Sequence, residues 1–278
     1  MAQDPTHAFK EFERAGWEEV ATGYAEFTEP INAELTGAVL DAAEAGPGVR
    51  LLDVASGPGW VTGGADDRGA DAIGVDFAVS MVEQARRRYP GVEFREGEAE
   101  NLPFDDESFD VVTSALGMPH FADHDAFMSE AARVLRPGGR LVFASWVRPA
   151  NNPFFGIVLT AIAKHGSLDV ELPPGIDMFT WDDLAVCQEY LDRAGFGPAE
   201  RTDVVLSIEL NNGPADILRT LEEGAVRSRA LLMGQTPEAR AAIERELDLL
   251  MQPNKVGDRW VLEGRAFVVA ADKTSPGG

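Results

Sequence analysis

The segment Asp53-Val-Ala-Ser-Gly57-Pro-Gly59-Trp60 constrains this chain more than any other. It follows a short apolar run, Arg50–Val54, that reads as a buried strand, and it opens a helical stretch. Glycines at such a turn let backbone approach a ligand, and the helix N-terminus that follows offers unpaired N–H groups. A lone G-x-G also serves as a plain structural turn, so its meaning depends on what surrounds it.

What surrounds it is an alternation of strands and helices. Strand signals recur at Ala72–Asp76, Val92–Arg95, Phe109–Ser114 and Arg140–Trp146. Helical spacing fills Val79–Tyr89, ended by Pro90 and Gly91, and His124–Leu135, ended by the turn Arg136-Pro137-Gly138-Gly139. Strands separated by helices of about ten residues predict a parallel sheet with right-handed crossovers, covered on both faces. The fold expected is a doubly wound, Rossmann-like α/β domain with a mostly parallel seven-stranded sheet. The second half is looser. Breakers crowd residues 148–180 around an apolar stretch at Phe154–Ala163, and a helix is expected at Trp181–Ala194. A strand at Val204–Leu210, helices at about 214–233 and 237–251, and a last strand at Gly264–Ala271 complete the pattern. The last strand has no helix after it and is expected to pair antiparallel at the sheet edge. Residues 1–278 thus read as one domain: a helical cap over 1–46, a core over 47–147, and insertions at 148–180 and 214–255. The tail Ser275–Gly278 reads as disordered.

Charge narrows the partners. With 47 acidic and 24 basic residues the formal net charge is −23, which excludes the basic footprint that nucleic-acid binding requires. No apolar run reaches the ~18–20 residues of a membrane span, and the first twenty residues lack the basic and apolar regions of a secretory signal. A cytoplasmic protein, monomer or homodimer, is expected. The single cysteine, Cys187, builds neither a disulfide framework nor a thiolate metal cluster.

Three acidic residues stand at successive strand ends. Asp53 precedes the glycine turn, Asp76 lies 19 positions past Gly57, and Glu98 follows the third strand. Open α/β sheets bind ligands in the crevice at such strand ends, where a carboxylate can accept both ribose hydroxyls. Acidic groups with aromatic faces attract a cation, whereas the pyrophosphate of a dinucleotide would be repelled.

With these residues in place the chain resembles the class I S-adenosylmethionine-dependent methyltransferases, within them the UbiE-like (type 11) small-molecule group. The resemblance rests on LLDVASGPGW (51–60), GVDFAVSMVEQAR (74–86), GEAENLPFDDESFDVVTS (97–114) and EAARVLRPGGRLVFASW (130–146), and covers roughly residues 12–146. It implies that Asp53 and the backbone of Ala55, Gly57 and Gly59 hold the amino-acid end of S-adenosylmethionine. Asp76 would grip the ribose, with Phe77 and Met81 lining the adenine. Glu98 and Ala99 would face the adenine edge, and Ala115 would sit beside the cofactor. Two positions depart from the family pattern: Ala55 stands where glycine is usual, and Glu98 where aspartate is usual.

The loop Ser114-Ala-Leu-Gly-Met-Pro-His120-Phe121 lacks the Asn/Asp-Pro-Pro-aromatic pattern of amino-group nucleic-acid methyltransferases. His120 in this loop suits a general base at neutral pH, or a ring packed on the cofactor. Trp17, Tyr24 and Phe27 form an aromatic stripe on an N-terminal helix, which the resemblance folds over the pocket. Tyr24 is expected to bond the cofactor carboxylate or to orient an acceptor hydroxyl, and a Tyr24–His120 pair to serve as base. Asp123-His124-Asp125 reads as a helix start capped by Asp123, so no metal is expected. Phe154, Phe155, Met178, Phe179, Trp181, Leu232, Met233 and Met251 are expected to cover an apolar acceptor pocket. The reading is methyl transfer to a small, aromatic acceptor, with ring carbon of an indole or phenol favoured because the resembling enzymes methylate ring carbons. An O- or N-methyltransferase, an NAD(P)-dependent oxidoreductase and a non-catalytic cofactor-binding protein are the alternatives.

Overall fold

The computed structural model describes residues 5–274, so Ser275–Gly278 lie outside the described residues, as does the side chain of Phe27. Two helices, α1 (Pro5–Phe27) and α2 (Glu29–Ala42), precede the first strand, β1 (Arg50–Val54). Then follow α3 (Trp60–Asp67), β2 (Asp71–Asp76), α4 (Val79–Arg88), β3 (Glu93–Glu96), β4 (Phe109–Ala115), α5 (His124–Val134) and β5 (Leu135–Trp146). The second half comprises α6 (Pro153–His165), α7 (Leu184–Arg193), β6 (Glu200–Leu210), α8 (Pro214–Gly224), α9 (Val226–Met233), α10 (Pro237–Met251), β7 (Lys255–Val256) and β8 (Arg259–Asp272).

The sheet runs β3-β2-β1-β4-β5-β8-β6, with the two-residue β7 paired to β8 off this path. The first five strands are parallel, and β8 runs antiparallel to both β5 and β6. The last strand is therefore antiparallel as expected, but it inserts between β5 and β6 and leaves β6 at the edge. Both strands are longer than their apolar patterns suggested, because eleven residue pairs from Glu200↔Ala270 to Leu210↔Trp260 extend the ladder past the sheet's buried zone.

Strand alternation divides the core in two. Leu51, Val111, Val142 and Ala144 face α2, α6, α8 and α10, whereas Leu52, Val112, Leu141 and Phe143 face α5 and α7. Trp181, Leu232 and Met251 belong to these cores and not to a pocket. Trp181 is wholly buried against Phe143, His124 and Tyr190. Met233 is exposed. Asp123 caps α5 by accepting from the Ala126 N–H at 2.9 Å. His124 is buried, its Nε2 bonded to the Met118 carbonyl, and no group of three metal-ligating side chains forms among the described residues. No helix among them is long and apolar enough to cross a membrane.

The strand order reverses between β1 and β4, and that reversal opens a crevice at the carboxyl ends of the parallel strands.

Candidate functional site

A cavity of roughly 660 Å³ fills that crevice. Its floor comes from one strand end after another: Ala55 and Gly57 after β1, Asp76 and Phe77 at β2, Gly97, Ala99 and Glu100 after β3, and Ala115, Leu116 and Gly117 after β4. Met81 of α4 closes one side. Lys10, Trp17 and Tyr24 of α1 lie across the top with His120 and Phe121.

Backbone conformation explains much of the floor. Gly57 has φ +51°, and its N–H donates to Asp76 Oδ2 at 2.8 Å. Asp76 Oδ1 accepts from the Ala78 N–H, so the carboxylate is fixed by two backbone donors while each oxygen keeps accepting capacity. Ala55 and Leu116, neither a glycine, are held at φ +55° and +62°, and both line the cavity. Non-glycine residues in the left-handed region store strain, and such strain collects at functional sites. The methyl group of Ala55 is accommodated because residue 117 is glycine: a Cβ there would lie 2.9 Å from Ala55 Cβ.

Two expected residues are placed differently. Gly59 does not line the cavity. It is the N-cap of α3 at φ +89°, and a Cβ there would come within 2.7 Å of the Phe94 ring, so packing demands this glycine. Glu98 does not line the cavity either. Its carboxylate accepts from Lys10 Nζ and Arg14 Nη2, each at 2.7 Å, and tethers α1 to the β3 end. The Lys10 bond, more than burial opposes it, holds the Glu98 carboxyl below its ordinary value. Asp53 is buried, with its two oxygens accepting from the Thr62 and Thr113 hydroxyls at 2.8 and 2.9 Å. It lines an adjoining cleft of roughly 350 Å³ with Tyr24, Ser56 and Trp60. Burial pushes the Asp53 carboxyl up to about 7 and that of Asp76 up to about 6. Neither forms an ion pair among the described residues, and the His120 imidazole acts on Asp76 only at a distance.

These features fit a cationic, nucleoside-bearing cofactor. Two buried carboxylates without a counter-ion favour an incoming positive charge. Ser56 Oγ and Trp60 Nε1 lie buried in the Asp53 cleft with no hydrogen-bond partner, as the ammonium and carboxylate of an amino acid would need. The Phe77 and Met81 side chains offer apolar faces beside Asp76 for a base.

A third cavity, of roughly 740 Å³, shares Trp17, Tyr24, Leu116 and His120 with the first. Its other walls are Trp146, Phe154, Phe155 and Met178 on one side and Ile31, Thr220, Leu221 and Arg227 on the other. Phe179 stands behind them, its ring 5.3 Å from that of Phe155.

The rings of Tyr24 and His120 each pack edge-on against Trp17, at 5.2 and 5.0 Å. Burial pushes the Tyr24 phenol up to about 12, so it stays protonated at neutral pH and donates. His120 Nδ1 lies 2.9 Å from Oε2 of Glu13, a wholly buried carboxylate of α1. Sequence reasoning missed Glu13, although its signal was present. Phe9, Glu13, Trp17, Val20 and Tyr24 recur at helical spacing, placing one carboxylate inside an apolar stripe.

The comparisons with known proteins agree with this geometry. A family profile described as a methyltransferase domain matches residues 52–143. The chain is 32% identical over 202 residues to a demethylmenaquinone methyltransferase of Renibacterium salmoninarum, covering 69% of this chain and 82% of that one. It is 44% identical over 141 residues to a demethylmenaquinone methyltransferase of Beutenbergia cavernae, covering 48% of this chain; it spans only 59% of that relative's length. Among solved structures, an S-adenosylmethionine-dependent methyltransferase of Thermotoga maritima shares the fold with TM-score 0.56 at 19% identity, covering 94% of this chain and all of that one. The chain belongs to the class I, UbiE-like S-adenosylmethionine-dependent methyltransferases.

Proposed function

We propose that this protein methylates a small aromatic acceptor, at a ring carbon of a phenol-, quinol- or indole-type compound, with His120 as general base. The observation that carries the reading is the pair of cavities that meet at Trp17, Tyr24, Leu116 and His120. One has the strand-end carboxylates that suit the cofactor, and the other is walled by aromatic rings. The demethylmenaquinone methyltransferases named above support an aromatic acceptor, and the acidic surface supports a small molecule over nucleic acid.

Asp76 would accept the ribose hydroxyls, and Phe77, Met81 and Ala99 would enclose the base. Asp53, Ser56, Trp60 and the Gly57 backbone would hold the amino-acid end. Bound there, S-adenosylmethionine supplies an electrophilic methyl group on a sulfonium. The residues at the shared wall then have separate tasks. Trp17 and Leu116 keep water from the junction and restrict the acceptor to one orientation, which is where most of the rate gain of such a transfer originates. Tyr24, kept neutral, donates a hydrogen bond to an oxygen at the junction and does not itself remove a proton. His120 removes a proton from the acceptor and so raises the electron density of the attacking ring. The segments around α6 and α8 act as a cover over the acceptor.

The test is incubation of the purified protein with labelled methyl donor and a panel of phenols, reduced quinones and indoles. Label on a ring carbon of one scaffold is the expected result, with His120→Ala slower by about 100-fold or more at unchanged cofactor affinity. Label on oxygen or nitrogen would replace the carbon assignment. Wild-type rates in His120→Ala would remove the base.

A further inference from the structure

Glu13 lines none of the three cavities, yet it is a wholly buried carboxylate on a helix that is otherwise apolar on that side. Burying a carboxylate is unfavourable unless it is paired and hydrogen-bonded. Its Oε2 meets His120 Nδ1 at 2.9 Å. Its Oε1 makes no hydrogen bond, and the guanidinium Nη1 of Arg227, on α9, stands 3.8 Å away and is likewise without a hydrogen bond. His120 Nε2 has no partner among the described residues, and its ring lines both the cofactor cavity and the acceptor cavity.

We infer that Glu13 is a positioning residue: it holds His120 with the proton on Nδ1 and so presents an unprotonated Nε2 to an acidic O–H or C–H of the acceptor. This rests on the reading of His120 as base. A carboxylate accepts and cannot donate, so the hydrogen at this contact belongs to Nδ1. In neutral imidazole the other nitrogen then carries the lone pair. When the acceptor's O–H or C–H bond breaks, the proton forms the new Nε2–H bond and the electron pair stays on the acceptor. The positive charge that appears on the imidazole is met by Glu13. Without that carboxylate the ring would turn on its edge-on contact with Trp17 or take the other tautomer, which offers the acceptor a donor in place of a base.

Arg227 keeps Glu13 in place. It compensates the buried charge from the α9 side at a distance too long to take the carboxylate away from His120. The charged and titratable groups around the imidazole are Glu13 of α1, Arg227 of α9, Asp76 of β2 and Tyr24 of α1, with Lys10 and Glu100 on the same cavity wall.

The decisive experiment is nitrogen NMR of histidine-labelled protein without cofactor or acceptor, at a pH where the imidazole is neutral. His120→Ala assigns the signal among four histidines. The wild type is expected to show a single tautomer with the proton on Nδ1, Glu13→Gln a mixture, and Glu13→Asp a return toward the wild-type pattern. With reduced 1,4-naphthoquinone as acceptor probe, any transfer activity is expected to fall at least 10-fold in kcat in Glu13→Gln, at unchanged KM for the cofactor. A wild-type ring protonated on Nε2 overturns the inference whether or not the variants fold. So does Glu13→Gln with an unaltered tautomer. If His120→Ala keeps wild-type activity while the Nδ1–H tautomer is present, the reading of His120 as base fails, and the positioning of the ring by Glu13 does not.

Discussion

The two cavities that meet at His120 are built in opposite ways. The strand-end cavity takes its floor from main chain, from strand ends, a glycine turn and two strained residues, with Asp76 pinned by the N–H groups of Gly57 and Ala78. The acceptor side is made by side chains that converge from α1, α2, α6, α8, α9 and the end of β5. A site of side chains can be repacked without disturbing the sheet.

If that division is right, substitutions on the two sides should separate cleanly. The largest effect is expected from Asp76→Ala, which removes an acceptor to which both ribose hydroxyls would bond: cofactor affinity should fall about 100-fold, read by calorimetry. Retained affinity would break the assignment of the cofactor cavity. Gly59→Ala tests whether the turn serves packing. Its φ of +89° and the Phe94 contact predict a loss of about 2–4 kcal/mol in stability, measured by denaturant unfolding. On the other side, Phe155→Ala should raise the acceptor KM about 10-fold through lost apolar contact, with cofactor affinity untouched. An equal effect on both ligands would erase the distinction between the cavities.

Acidity gives a subtler test. The folded Asp53 and Asp76 carboxyls, at about 7 and about 6, lie above their ordinary value of 3.8. The folded, cofactor-free protein therefore binds more protons than the unfolded chain between those values, and these groups make it less stable as pH rises through that window. A bound cation reverses the preference. Cofactor affinity should fall by about 3- to 10-fold from pH 7.5 to 5.5, and the melting-temperature increment given by S-adenosylmethionine should shrink with it. The smallest effect is expected at the tether of α1. Arg14→Gln breaks a partly exposed pair with Glu98 and should weaken cofactor binding only about twofold, less at high salt.

The same division explains what the sequence disclosed. β1 was legible from Arg50 to Val54, and α4 to within a residue, because apolar period and helix-breaking residues are local signals. Asp53, Gly57 and Asp76 were legible as residues of the crevice and its adjoining cleft because turn chemistry at strand ends is local too. Glu98 misled, since its position after β3 says nothing of Lys10 and Arg14, more than eighty residues earlier. Gly59 misled because one glycine requirement, close approach of backbone to ligand, looks in sequence like another, contact with a neighbouring ring. The wall of the third cavity was legible in Phe154, Phe155 and Met178 as apolar material at the ligand end of the sheet, but not in Thr220, Leu221 or Arg227. Trp181 was just as apolar and went to the core. Which side of an amphipathic element meets a cavity is settled by packing that no local pattern encodes.

Helix α1 carries the wall shared by the two cavities, and it is clasped to the cofactor side by Lys10, Arg14 and Glu18, the last accepting from the N–H groups of Val79 and Ser80 at the start of α4. If the spent cofactor leaves by a lifting of that helix, Trp17 and Tyr24 are carried away from the acceptor cavity with it. The methylated product should accordingly depart first and the demethylated cofactor last. Steady-state turnover would follow a compulsory order, with S-adenosylhomocysteine competing against S-adenosylmethionine and the methylated product competing against neither substrate.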